Sequence, residues 1–133
     1  MTWENWNNSL QNFEKWLDKE HGPLVRAWWI YLHNIFVKEV AVLADPSKKY
    51  LDVGCGAGGS LYAVVSKSNC QGVGLDPLIS SLKKFKESLK ENNNSNIDLV
   101  LGVAEYLPFQ DNIFNLCTMT GSLDHVNDTK QTI

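Results

Sequence analysis

The sequence has no excess of positive charge. It carries 12 lysine and arginine residues against 15 aspartate and glutamate residues, which gives a formal net charge of -3 and a pI near 5.5. A protein that depends on nucleic acid needs cations to neutralise the phosphate backbone. The charge balance therefore argues against nucleic acid as an obligatory partner.

Cysteines are few, and long apolar runs are missing. The three cysteines, Cys55, Cys70 and Cys117, are odd in number and lack the short paired spacing of a zinc site or a redox motif. No apolar stretch reaches the roughly 18 residues of a membrane span, and no cationic segment leads into an apolar run at the N-terminus. We therefore expect a soluble, cytoplasmic protein in a reducing compartment, with no metal and no membrane span.

Two helical patterns open the chain. Apolar residues recur every three or four positions over residues 3–17 and again over residues 24–43, with breaks at residues 21–23 and 45–46. All five tryptophans fall at or before Trp29, so these helices either pack on the core or form a lid over a substrate. We expect residues 1–46 to be an N-terminal helical segment and residues 47–133 to be the core.

The core alternates between strand and helix patterns. Strands are predicted at residues 50–53, 72–75, 97–101 and 113–119, with a helix at residues 60–67 and a turn at residues 92–96. A second helix is predicted to start at Asp76-Pro77, because aspartate caps free N–H groups and proline suits the first helical position. Its buried face should comprise Leu78, Ile79, Leu82, Phe85 and Leu89. This alternation predicts an α/β fold with a mostly parallel sheet.

A glycine-rich turn follows the first predicted strand. Glycines there permit positive φ and let bare backbone approach a ligand next to a helix N-terminus. Gly54, Gly56 and Gly59 also satisfy the dinucleotide fingerprint, so the turn alone does not choose between cofactors. Asp76 ends the second strand about 20 residues further on, where a carboxylate can accept hydrogen bonds from ribose hydroxyls. The alternatives are a tight turn without a ligand and an aspartate that only caps a helix.

Three segments resemble one family. Residues 52–58 read Asp-Val-Gly-Cys-Gly-Ala-Gly, residues 102–109 read Gly-Val-Ala-Glu-Tyr-Leu-Pro-Phe, and Phe-Asn-Leu at 114–116 leads to Ser-Leu-Asp-His-Val at 122–126. With the second-strand aspartate, they resemble the motifs of class I S-adenosylmethionine-dependent methyltransferases, specifically the small-molecule, methyltransferase type 11-like group, over about residues 48–127. The resemblance implies a Rossmann-like sheet of order 3-2-1-4, S-adenosyl-L-methionine as cofactor, and methyl transfer to a small-molecule acceptor.

The resemblance also assigns site residues. It places Gly54, Gly56 and Gly58 against the methionine part of the cofactor and Asp76 on the ribose. Asp52 would steady the glycine turn or hydrogen-bond through water. The other implied residues are Cys55 as a small filler of the turn, Pro77 or Leu78 covering an adenine face, Ala104 and Glu105 at the adenine edge, and Met119 and Thr120 along the sulfonium region.

The chain departs from the family pattern at two positions. Val103 stands where an aspartate usually accepts from the adenine amino group, so that contact would come from backbone or from Glu105, or would be absent. Asn115 replaces the aspartate that usually begins the fourth strand, which removes a negative charge.

The catalytic group and the acceptor are less defined. His125, in the pair Asp124-His125 after the fourth strand, is a weak candidate for a general base, and an orienting or packing role is the alternative. The family's sheet continues beyond the fourth strand, so we expect that the C-terminal half is lacking and that an open sheet edge permits self-association. The alternative functions are a cofactor-binding or partner subunit without turnover and an NAD-dependent oxidoreductase.

Overall fold

The computed structural model describes residues 23–120, 122, 126 and 128–132. These residues fall in two compact units, one ending at Phe36 and one beginning at Val37. The helix predicted over residues 3–17 and the pair Asp124-His125 lie outside the described residues. The elements are α1 (Pro23–Leu43), β1 (Lys49–Val53), α2 (Gly59–Ser68), β2 (Gln71–Asp76), α3 (Ile79–Glu91), β3 (Ile97–Leu101), β4 (Leu116–Thr118) and α4 (Thr129–Thr132).

The strands of the described residues form one parallel sheet. Its order is β3-β2-β1-β4, and every neighbouring pair is parallel. The helices α2 and α3 each connect a strand to its parallel neighbour, which is how α/β sheets are built. The predicted α/β class and the expected order 3-2-1-4 are both confirmed.

The fourth strand is shorter than predicted. Residues 113–119 read as a strand in the sequence, but only Leu116–Thr118 pair with β1. Asn115 stands just before this strand and exchanges two hydrogen bonds with Lys49: its N–H donates to the Lys49 carbonyl, and its Oδ1 accepts from the Lys49 N–H, each over 2.9 Å. The side chain of Asn115 thus takes the place of a strand contact and sets where β4 begins.

Helix α2 lies directly on the backbone of β2. A Cβ atom at Gly72 would stand 2.6 Å from a methyl carbon of Val65, and one at Gly74 would stand 2.8 Å from a methyl carbon of Leu61. Leu61, Val64 and Val65 are fully buried on the inner side of this helix. The two glycines of β2 therefore permit a close helix-to-sheet contact that any larger residue would prevent.

The opposite face of the sheet carries a second apolar cluster. Leu51, Val53 and Leu75 are buried there. The hydrophobic residues that pack against them are partly buried: Val73, Val100, Ala104, Phe109, Phe114 and Met119. The rings of Phe109 and Phe114 meet edge to face, with centroids 4.9 Å apart. The segment between β3 and β4 thus covers part of this face.

Helix α3 starts later than predicted. Asp76 remains in β2 and Pro77 forms a bend, so the helix begins at Ile79. Leu82 and Leu89 are buried as expected, as is Phe85, but Ile79 is 57% exposed and Leu78 is half-buried. The expectation that Asp76 and Pro77 open the helix was therefore wrong. The placing of Ile79 on the buried face was also wrong, because the side chain of this first helical residue is exposed.

Strand β4 lies at one end of the sheet. It pairs with β1 on one side, and no other described strand pairs with it. Self-association through this edge stays a prediction. None of the helices in the described part of the chain has the length and apolar character that a membrane-spanning helix needs.

Candidate functional site

The glycine turn connects β1 to α2 and is tied to the end of β2. Gly54, Gly56 and Gly58 have φ values of 74°, 53° and 80°, a region that L-residues rarely adopt. The N–H groups of Gly54 and Cys55 both donate to the carbonyl of Leu75, over 2.7 and 3.1 Å. The turn is therefore held in place by backbone contacts to the neighbouring strand.

The three glycines face different surroundings. A Cβ atom at Gly54 would stand 2.5 Å from the Cβ of Ser122, and one at Gly58 would stand 2.0 Å from the ring of Phe85. At Gly56 a Cβ atom would meet nothing within 4 Å. Packing therefore excludes side chains at Gly54 and Gly58, whereas Gly56 faces open space that a ligand can fill.

Asp76 joins the end of β2 to the turn. Its Oδ2 accepts from the Gly56 N–H and its Oδ1 accepts from the Leu78 N–H, each over 2.8 Å. The side chain is 5% exposed, and burial raises the pKa of this carboxyl group, while the two backbone hydrogen bonds act in the opposite direction. Each oxygen keeps a further lone pair for a ligand hydroxyl.

Asp52 lies beside Asp76 at the end of β1. It is 3% exposed, and its Oδ1 accepts from the Thr118 hydroxyl over 2.9 Å. Thr118 is in turn 2.6 Å from the hydroxyl of Tyr50. Burial raises the pKa of Asp52 to about 6, and the charge of Asp76 adds to this, while the Thr118 hydrogen bond opposes it. Among the described residues, the hydrogen bond of Asp52 thus goes to β4 and not to the glycine turn.

Tyr50 and Thr118 were missed by the sequence analysis. Tyr50 and Asp52 are two residues apart on one strand, so their side chains share a face of the sheet. Thr118 joins them because it stands opposite Asp52 in the β1–β4 register. The spacing of Tyr50 and Asp52 can be read from the sequence. The position of Thr118 opposite Asp52 becomes apparent only once the strand order is known.

Cys55 is buried within the turn. A Cβ atom at Gly74 would stand 2.7 Å from its Sγ, so the thiol occupies the space above that glycine. Burial, with the charges of Asp76 and Asp52, raises the pKa of the Cys55 thiol. The group is therefore a neutral thiol at pH 7.

The other predicted site residues lie around this edge of the sheet. Pro77 and Leu78 are half-buried in the bend before α3. Ala104 and Met119 pack on the apolar cluster of Leu51, Val53 and Leu75, and Thr120 is exposed. Glu105 Oε1 accepts from the Asp128 N–H at the start of α4, over 3.2 Å. His125 lies outside the described residues, and within them no three histidine, cysteine, aspartate or glutamate side chains are grouped to hold a metal.

Comparisons with known proteins agree with this geometry. Residues 51–133 match the family described as a methyltransferase domain. A demethylmenaquinone methyltransferase from Bacillus cereus is 33% identical over 100 residues, which cover 72% of this chain and 42% of the relative. The chain spans about half the length, or less, of the curated relatives it matches.

Two solved structures share the fold. A putative S-adenosyl-L-methionine-dependent methyltransferase from Methanococcus maripaludis superposes with a TM-score of 0.69 at 19% identity, covering 92% of this chain and 53% of that one. Geranyl diphosphate C-methyltransferase from Streptomyces coelicolor, solved with S-adenosyl-L-homocysteine, gives a TM-score of 0.62 at 17% identity, covering 81% and 43%. With the family match over more than half of the sequence, the chain belongs to the class I S-adenosylmethionine-dependent methyltransferases.

Proposed function

We propose that this chain binds S-adenosyl-L-methionine at the glycine turn and that the whole protein transfers the methyl group to a small-molecule acceptor. The observation that carries the proposal is the environment of Gly56. Its Cα faces open space, and its N–H is fixed on the Asp76 carboxylate. A backbone without a side chain, held beside a buried carboxylate at the end of a parallel strand, suits a ligand that brings hydroxyl groups to the acid.

Each part of the cofactor has a proposed partner. The second lone pairs of the Asp76 carboxylate accept from the ribose hydroxyls, because each oxygen uses only one in the protein. Pro77 and Leu78 cover one adenine face from the bend before α3, with Ala104 and Glu105 at the adenine edge. Gly54, Cys55, Gly56 and Gly58 line the methionine part by backbone. Met119 and Thr120, after β4, line the sulfonium region.

The reaction supported best is methyl transfer. S-adenosylmethionine, held by the turn and Asp76, would supply an activated methyl group on its sulfonium, and S-adenosylhomocysteine would be the leaving group when the acceptor nucleophile takes that methyl group. The contribution of the chain is alignment, since the turn, Asp76 and the end of β4 fix the donor before the acceptor arrives. His125 stays a weak candidate for accepting the proton of the acceptor.

A small-molecule acceptor in the cytoplasm fits the composition. The net charge of -3 does not favour a polyanion such as nucleic acid. The Bacillus cereus relative is named for a small-molecule acceptor, demethylmenaquinone.

Titration calorimetry with S-adenosylmethionine and S-adenosylhomocysteine tests the cofactor assignment. We expect one site per chain in the parent and strongly weakened binding by Gly56→Ala, since the added methyl group enters the open space and alanine is strained at φ 53°. Gly59→Ala is the matched control. Its added methyl group also meets nothing within 4 Å, but Gly59 is the first residue of helix α2, where alanine is not strained.

Two results would contradict the proposal. One is equal binding by Gly56→Ala and the parent, with both proteins folded by circular dichroism. The other is protection of the parent against heat by NADH and not by S-adenosylhomocysteine, which would favour the oxidoreductase alternative.

A further inference from the structure

Three side chains form a hydrogen-bonded chain across two neighbouring strands. Tyr50, Asp52 and Thr118 belong to the neighbouring strands β1 and β4, and the two hydrogen bonds between them measure 2.6 and 2.9 Å. Tyr50 is 0% exposed and Asp52 is 3% exposed. The network is therefore a fixed part of the sheet, where a buried polar group without partners would be destabilising.

The direction of each hydrogen bond follows from the charge of Asp52. An ionised carboxylate only accepts, so the single hydroxyl proton of Thr118 must point to Asp52 Oδ1. The oxygen of Thr118 must then accept the proton of Tyr50. Tyr50 thus orients Thr118, and Thr118 supports the charged form of Asp52.

The second oxygen of Asp52, Oδ2, has no hydrogen-bond donor among the described residues. Every fully buried side-chain oxygen of those residues has a partner, so Oδ2 must retain some contact with solvent. Asp52 stands next to the last residue of β1, at the carboxyl end of a parallel sheet where ligands of this architecture bind.

The surroundings of Asp52 favour a positively charged ligand. Burial raises the pKa of Asp52, the charge of Asp76 on β2 raises it further, and no cationic side chain of the described residues offsets the two acids. The other titratable neighbours are Tyr50, Cys55 in the turn and Cys117 on β4, whose pKa values are all raised, so they stay neutral up to pH 8. Two adjacent carboxylates without a described counter-charge suit a cation.

We propose that Thr118 and Tyr50 are positioning residues, which keep Asp52 ionised and oriented so that Oδ2 receives the positive charge of the bound cofactor. This inference rests on the proposed function, because the cation is that of S-adenosylmethionine. Thr118 contacts Asp52 and not Asp76, so its effect on binding separates the two acids.

The test is the pH dependence of cofactor affinity between pH 5 and pH 8, measured by calorimetry. Affinity of the parent should fall as pH drops through about 6, where Asp52 takes up a proton. Thr118→Val removes the hydroxyl at nearly constant shape, so the midpoint should rise by about one to two pH units, the effect of one hydrogen bond to a charged group. Thr118→Ser should restore the parent midpoint, and Tyr50→Phe should move it in the same direction by less.

A control variant and a measurement without ligand test the inference independently of the proposed function. Tyr62→Phe removes a tyrosine hydroxyl from α2, outside the network, and should leave the midpoint unchanged. The carboxyl carbon of Asp52 can be titrated by NMR without any ligand, and Thr118→Val should raise its pKa there as well.

The outcomes are distinct. Failure of the parent to bind S-adenosylmethionine at any pH overturns the proposed function, and the NMR titration still decides whether Thr118 supports the charged form of Asp52. A binding parent with the same midpoint in Thr118→Val overturns the inference alone. Equal shifts in Thr118→Val and Thr118→Ser also overturn it, because they would reflect packing and not the hydroxyl.

Discussion

The carboxylate of Asp76 and the backbone N–H of Gly56 lie 2.8 Å apart and join the end of β2 to the turn after β1. The same carboxylate holds the bend before α3 through Leu78. One side chain therefore ties both the glycine turn and the bend before α3 to the end of β2. Any change at Asp76 acts on the conformation of both segments, as well as on the proposed ribose contact.

Replacement of Asp76 should weaken cofactor binding in a graded way. Asp76→Ala removes acceptors from two N–H groups and from the ribose, and we expect a ten- to hundredfold loss of affinity, from about 1.5 to 3 kcal/mol for a charge-assisted hydrogen bond. Asp76→Asn keeps one oxygen and leaves one N–H group without an acceptor, so its loss should be intermediate. Calorimetry on both variants, with melting curves alongside, checks the order. Parent-like affinity in both would mean that Asp76 serves the protein fold alone.

The stability of the protein should depend on the ionisation of Asp52. Its pKa is about 6 in the folded state and near 3.8 when exposed, so the folded state binds the proton more tightly. The resulting stabilisation is complete below about pH 4 and is lost as pH rises through 6. The difference amounts to about 3 kcal/mol.

Asp52→Asn isolates this contribution. Urea denaturation at pH 4, 5, 6 and 7.5 should show the difference in unfolding free energy between parent and variant shifting in favour of the variant as pH rises. A difference that stays constant across this range would contradict the raised pKa. On the proposed role of Asp52, binding needs the charged form, so the pH range that favours affinity is the one that lowers stability.

Replacement of Gly58 should lower the stability of the fold. An alanine there would place its Cβ 2.0 Å from the buried ring of Phe85 at a φ of 80°. We expect Gly58→Ala to lower the unfolding free energy by about 1 to 3 kcal/mol, through backbone strain and overpacking. Gly59→Ala should be neutral or slightly stabilising, since alanine favours a helix. Similar urea midpoints for the two variants would show that Phe85 can move aside.

The open edge of β4 should exchange its amide protons readily. This strand has three residues and a described partner on one side only. Edge strands present free N–H and C=O groups that invite fraying or association. Hydrogen exchange should show weaker protection at Cys117 than at Leu75 in β2, and sedimentation velocity should show association that rises with concentration. A monomer at all concentrations, with β4 as protected as β2, would contradict this expectation.

The alternation of strand and helix patterns predicted the parallel α/β sheet, and the resemblance to methyltransferases implied its strand order. The sequence also predicted β3 at residues 97–101, where turn residues mark one boundary. The sequence failed to predict element boundaries that depend on side-chain hydrogen bonds. Asn115 hydrogen-bonds to Lys49, and β4 is shorter than predicted. Asp76 hydrogen-bonds to Leu78 and holds a bend where a helix start was expected. Such contacts depend on register, and local patterns carry no register.

The sequence predicted some residues of the candidate site and missed others. The glycine turn and Asp76 were visible because each combines an unusual residue type with a position at a strand end. Thr118 and Tyr50 are ordinary strand residues, and only the pairing of β1 with β4 brings their hydroxyl groups to Asp52. The ligand-binding roles of all these residues, those of the glycine turn and Asp76 included, stay predictions, as do the roles assigned to Ala104, Glu105, Met119 and Thr120.

The carbonyl of Leu75 accepts from two successive N–H groups, those of Gly54 and Cys55. The turn therefore has little conformational freedom left to lose when a ligand arrives, because its entropy is already given up during folding. Ordering of a binding loop otherwise subtracts from affinity. A shared acceptor at the end of β2 thus transfers an entropic penalty from the binding step to the folding step.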